Sequence, residues 1–245
     1  MDAPKKTIEP VTHVIFDMDG TLLDTENIHK KTYRIIAQEF GTTFSPELRM
    51  KIIGRPELDG AKEVIKTLKL EIKPEDYVQK VKLLEENLWT KVPLLHGVRD
   101  LVTHLHSQGI PMAVATSSSK KSYNKKTSSH RELFGLFHHI VTSPSDPEVK
   151  RGKPAPDIFR VCASRFPREP DVSECLVIED SPNGVAAAVA AGMQVVMVPD
   201  PMMPRELTTE ATLVIDSIED FEPEIFSLPP YFYLKETKQP IINDI

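Results

Sequence analysis

Six short runs of mostly β-branched and aliphatic residues, at 13–17, 111–116, 139–142, 175–179, 194–198 and 212–215, constrain this chain more than any other feature. Near-continuous apolar runs of this length, without strict alternation, are what strands covered on both faces look like. Each is read as followed by a helical pattern, and strands alternating with helices imply an α/β fold with a doubly wound, mostly parallel, Rossmann-like sheet. Between the first two runs the rhythm changes. Ile28, Ile35, Ile36 and Phe40 fall near helical spacing with Gly41 as a stop, and Ala61, Val64, Ile65 and Leu68 repeat the pattern. Tyr77, Val81, Leu84 and Leu88 give a third helix. An inserted helical cap over the carboxyl edge of the sheet is therefore expected, where the binding crevice of open α/β folds forms. The expected division is a core of 12–23 and 94–228, a cap of 24–93, and peripheral tails at 1–11 and 229–245.

The 245 residues carry a net charge of -6, which argues against a nucleic acid polymer as partner. Cys162 and Cys175 have no metal or redox spacing and are expected as buried free thiols in a reducing compartment. The polar start lacks the apolar stretch of a secretory signal, and no run approaches the ~20 apolar residues that span a bilayer. A cytoplasmic protein, with no membrane partner and monomeric, is expected.

Four strand ends carry reactive groups. The first apolar run leads into Asp17-Met18-Asp19-Gly20-Thr21, and side chains at i and i+2 of an extended chain share a face. Paired acids there suit a divalent cation and a phosphate; the competing reading is an ordinary surface turn. Thr116 to Ser119 follow the second run, Gly152-Lys153-Pro154 a turn-rich stretch, and Glu179-Asp180 the fourth run. Taken singly, each hydroxyl or acid before a helix reads equally as a cap, and the lysine as solvated. Ser181, Pro182 and Gly192 punctuate the helix that follows Asp180.

Together these residues resemble the haloacid-dehalogenase-like superfamily of aspartyl-phosphate enzymes. Asp17, Asp19, Gly20 and Thr21 match its first motif, Thr116 its second, Lys153 its third, and Glu179 with Asp180 its fourth. Longer phrases, among them Lys126-Thr127-Ser128, Asp146-Pro147-Glu148-Val149 and 179–185, are similar to the eukaryotic pseudouridine-5'-phosphatase branch. The resemblance implies a Mg2+-dependent phosphatase acting on a small phosphorylated metabolite through an aspartyl-phosphate intermediate. Asp17 is then the nucleophile and Asp19 the general acid and base. Thr116, Ser117 and Lys153 bind the phosphoryl group. Asp17, Asp19 (through its carbonyl) and Asp180 hold the metal, with Glu179 reaching it through water or, alternatively, directly. Pseudouridine 5'-phosphate is the substrate it favours; a sugar or polyol phosphate such as glycerol phosphate is the alternative, followed by a phosphoglucomutase-type isomerase.

Metal-free dehalogenation would leave Asp19 and Asp180 without a task, and phosphonate cleavage would need a cap lysine (Lys51, Lys62 or Lys66) near the site. A binding protein with a decayed site would not be expected to keep every reactive side chain. Arg55, in Gly54-Arg55-Pro56, is a candidate substrate contact, with simple exposure as the plainer reading. His96, His104 and His106 read as surface or partly buried, Trp89 as packing at the cap hinge. The basic cluster Lys120, Lys121, Lys125, Lys126 and Arg131 reads as a solvated helix face, with attraction of an anionic substrate as the alternative.

Overall fold

A computed structural model describes residues 7–52 and 57–231. The strands β1 (His13–Phe16), β2 (Met112–Thr116), β3 (His139–Thr142), β4 (Cys175–Glu179), β5 (Gln194–Met197) and β6 (Leu213–Val214) fall on the six apolar runs. They form one sheet in the order β3-β2-β1-β4-β5-β6, and every pairing is parallel. Alternate residues feed opposite faces. Val14, Phe16, Val114, Leu176, Ile178 and Val196 enter one apolar cluster, while Ile15, Ala113, Ala115, Val177, Val195 and Met197 enter the other. Burying such a side chain contributes ~1.5–3 kcal/mol, so a sheet apolar on both faces is stable only when helices cover both. On one face lie α5 (Val98–Ser107) and the short α7 (Arg131–Phe134); α8 (Asp157–Ser164) and α9 (Pro182–Ala191) pack on the other.

Strand order reverses between β1 and β4, and at such a switch point the connections diverge and leave a crevice at the carboxyl ends. Phe16 pairs with Ile178 and Val114, so Asp17, Thr116 and Glu179 emerge side by side at that edge.

Between β1 and β2 stand α1 (Thr25–Glu39), α2 (Pro46–Ile52), α3 (Glu57–Leu68) and α4 (Pro74–Leu88). They share a separate apolar cluster that includes Ile36, Leu48, Val64 and Tyr77. Asp24 caps α1 by accepting from the Asn27 amide. Phe40, expected on the apolar stripe of α1, lies beyond the helix and is exposed, because the chain turns at Gly41 with φ +69°. The seven-residue α2 had no counterpart in the periodicity, which two turns are too short to establish. Cys162 and Cys175 are both free and buried. No helix among the described residues is long and apolar enough to cross a membrane.

Candidate active site

Asp17 continues β1 by one residue, its amide donating to the Ile178 carbonyl at 2.9 Å. The side chain is buried, and Lys153 Nζ lies 2.5 Å from its Oδ1. The same ammonium reaches Glu179 Oε1 at 2.7 Å and the Ala115 carbonyl at 3.1 Å, which ties the ends of β1, β2 and β4 together. Glu179 Oε2 accepts from the amides of Asp180 and Ser181 and from the Ser181 hydroxyl. Ser181 Oγ in turn caps α9 through the Gly184 amide. Carboxylate oxygens of Asp17, Glu179 and Asp180 all lie within 4.8 Å of one another.

This packing is electrostatically unbalanced. Burial lowers the proton affinity of the Lys153 amine, but the carboxylates of Asp17 and Glu179 more than reverse that and hold it above its ordinary value. Burial pushes Asp17 up to about 7 against the pull of Lys153, with Glu179 and Asp19 adding to the rise. Asp180 is raised by burial and then by Glu179 and Asp17. Two buried carboxylates thus share one ammonium, with a third, half-buried one beside them. An all-oxygen donor set with surplus negative charge is the chemistry a hard divalent cation requires. Gly20 makes the cradle possible: at φ +86° it avoids left-handed strain, and a Cβ there would sit 2.1 Å from Asp180 Oδ2.

Asp19 stands on the far side of the same edge. Its Oδ2 accepts from Ser118 Oγ at 2.7 Å and from Thr116 Oγ1 at 3.5 Å, while its Oδ1 meets Lys126 Nζ at 2.6 Å. Thr116 is fully buried at the end of β2 and accepts from the Ser118 amide at 3.0 Å. Ser117 is exposed.

The structure therefore gathers Asp17, Asp19, Thr116, Lys153, Glu179 and Asp180 at one edge, with Ser117 beside them. Arg55 lies outside the described residues. Lys51, Lys62 and Lys66 are exposed on the helical insert. His96 and His106 are exposed and His104 is half-buried. Lys126 corrects the reading of the basic cluster. Lys120, Lys121 and Arg131 are solvated, but Lys126 is only 6% exposed and faces Asp19. The signal was in the spacing: in α6 (Lys120–Lys126) the lysine lies three residues after buried Tyr123, on the same helix face. Ser118 was also missed, one residue beyond the hydroxyl chosen from sequence. Trp89 is buried directly after α4, with Lys126 Nζ 4.2 Å from its ring centroid.

Residues 14–198 match the family described as haloacid dehalogenase-like hydrolase. The chain belongs to that family. This haloacid dehalogenase-like protein is 45% identical to the "Probable pseudouridine-5'-phosphatase" of Drosophila melanogaster, across 92% of this chain and 98% of the relative. It is 42% identical to "(DL)-glycerol-3-phosphatase 2" of Arabidopsis thaliana, across 90% of this chain and 93% of that one. A solved haloacid dehalogenase family hydrolase from Deinococcus radiodurans R1, with bound phosphate and sodium, superposes with a TM-score of 0.76 at 25% identity, covering 91% and 99% of the two chains. Family and relatives together make the protein a phosphoric monoester hydrolase.

Proposed function

We propose that the protein is a Mg2+-dependent phosphatase that hydrolyses pseudouridine 5'-phosphate through a phosphoryl group carried on Asp17. The observation that carries the reading is the Lys153 ammonium 2.5 Å from Asp17, beside carboxylates gathered within 4.8 Å. The Asp17 and Asp180 carboxylates and the Asp19 carbonyl would hold the cation, since Glu179 is committed to Lys153 and to the turn before α9. Bound there, Mg2+ supplies positive charge that offsets the repulsion between an anionic nucleophile and an anionic ester.

Lys153 adds a point charge at the phosphoryl oxygens and holds Asp17 in place. The buried Thr116 hydroxyl and the amides that follow β2 offer hydrogen bonds to another phosphoryl oxygen, with Ser117 exposed beside them. Asp17 Oδ attacks phosphorus, the phosphorus–oxygen ester bond breaks, and Asp19 delivers a proton to the departing oxygen. Asp19 then takes a proton from water as the water attacks phosphorus, which releases inorganic phosphate and restores the Asp17 carboxylate.

Substrate choice rests on the relatives. The one with 45% identity is named for pseudouridine 5'-phosphate and the one with 42% for glycerol 3-phosphate, so glycerol 3-phosphate is the second reading. Phosphate release from both compounds and from a panel of sugar phosphates, with Mg2+ and with EDTA, tests the proposal. The highest kcat/KM on pseudouridine 5'-phosphate, abolished by EDTA and restored by Mg2+, is expected. A higher kcat/KM on glycerol 3-phosphate would replace the first substrate by the second. Full activity in EDTA would remove the metal from the account.

A further inference from the structure

We infer that Lys126 is a positioning residue that fixes the Asp19 carboxylate for proton delivery to the leaving oxygen, and that Trp89 fixes Lys126. The inference rests on the reading of Asp19 as general acid. Asp19 precedes the Gly20 turn and its side chain is 27% exposed, so packing alone does not choose its rotamer. A general acid is useful only when its oxygen stands within hydrogen-bond reach of the atom it protonates. Here both oxygens are tethered. Lys126 Nζ takes Oδ1 at 2.6 Å, and Ser118 Oγ takes Oδ2 at 2.7 Å. The ammonium also donates to Ser118 Oγ at 3.1 Å, which closes the three groups into a ring of contacts.

Lys126 is not a steering charge. Its side chain is 7% exposed, whereas a charge that attracts substrate from solution is exposed, as Lys120 and Lys121 are. It lies against the Trp89 ring, and Trp89 directly follows α4, so the helical insert bears on the placement of Asp19. A cleft of about 390 Å3 is lined by Ser118 and Lys126 together with His29, Glu85 and Trp89. Space for a leaving group therefore borders the two groups that tether the acid.

The test compares kcat/KM, which reports the first phosphoryl transfer, on two substrates. One is the alkyl phosphate turned over best in the screen above, whose alkoxide needs a proton to depart. The other is p-nitrophenyl phosphate, which departs as a stabilised phenolate. Lys126→Met and Lys126→Gln are expected to lower kcat/KM on the alkyl phosphate at least ~10-fold more than on p-nitrophenyl phosphate, a fraction of what general acid catalysis supplies. Lys126→Arg should restore part of the difference. Trp89→Leu, which leaves the lysine in place, should show the same preference at smaller size. Asp19→Asn should show the differential in full, and adding Lys126→Met to it should change the ratio by less than ~3-fold, as for residues acting as one unit. Equal losses on both substrates in the Lys126 variants, with the differential intact in Asp19→Asn, overturn the positioning role and leave the Asp19 reading standing. Equal losses in Asp19→Asn overturn the reading of Asp19 and the inference together.

Discussion

Gly184→Ala separates the architecture described above from simple helix propensity, because the two predict opposite signs. Gly184 is the third residue of α9, and in a helix alanine is favoured over glycine by ~0.5–1 kcal/mol. A Cβ at this position, however, would lie 1.7 Å from Glu179 Oε1, 1.8 Å from its Cδ and 2.3 Å from Oε2. The whole carboxylate must vacate its place, and Glu179 is 1% exposed, with no solvent to move into. Displacement takes Oε1 off Lys153 and Oε2 off the amides of Asp180 and Ser181. Deleting one partner of a buried ion pair costs ~3–5 kcal/mol, and a buried donor left unpaired ~1–3 kcal/mol. The carboxylate is moved and not removed, so part of that loss is recovered. After the helix gain, a net destabilisation of ~2–3 kcal/mol is expected, or a fall of ~5–10 °C in Tm for a chain of this length. Activity should fall with it, since Lys153 loses one of its anchors. Gly60→Ala in α3 is the control: among the described residues its Cβ would meet only Ile52 Cβ, at 3.7 Å, so propensity prevails and a gain of ~0.5–1 kcal/mol is expected. Urea unfolding with m-values checked for constancy reads both variants. A Gly184→Ala protein at least as stable as the parent would refute the claim that Glu179 is locked in place.

Two further outcomes follow from the site and its scaffold. Asp180→Ala should raise the Mg2+ concentration needed for half-maximal activity at least ~10-fold, since it removes a charged oxygen ligand; a titration that overlays the parent's would exclude Asp180 from the metal site. Burial pushes the half-buried His139 down to about 4, with its Nε2 set 3.0 Å from the Cys162 carbonyl. The unfolded chain therefore binds a proton between pH ~6.5 and ~4 that the folded chain does not, and stability falls as pH drops through that window. The difference in urea midpoint between the parent and His139→Gln should shift in the variant's favour from pH 7 to pH 4.5; a difference independent of pH would refute it.

The sheet was legible because its inner strands β1, β2, β4 and β5 are covered on both faces, which forces unbroken apolar runs such as Leu176-Val177-Ile178. Asp17, Lys153 and Asp180 were legible for a related reason: each stands where a strand or turn hands over to the next element, flanked by Gly20, Pro154 or Pro182. Lys126 was not. A lysine among lysines carries no mark of burial, and what buries it is Trp89, thirty-seven positions away across the fold. Glu179 reads from sequence as a partner of the metal through water, whereas the fold puts one of its oxygens on Lys153 and the other at the turn before α9, contacts between distant residues that no local pattern encodes. The short α2 left no periodic trace, and its contribution of Leu48 and Ile52 to the insert's core follows from packing.

Rapid acid quench of a single turnover, followed by mass spectrometry of the peptide that holds Asp17, tests the central claim most directly. The account predicts a transient phosphoryl adduct on that peptide, absent from Asp17→Asn, whose turnover should fall by at least ~3 orders of magnitude, about 4 kcal/mol. No adduct at any quench time, together with near-parental turnover in Asp17→Asn, would contradict it.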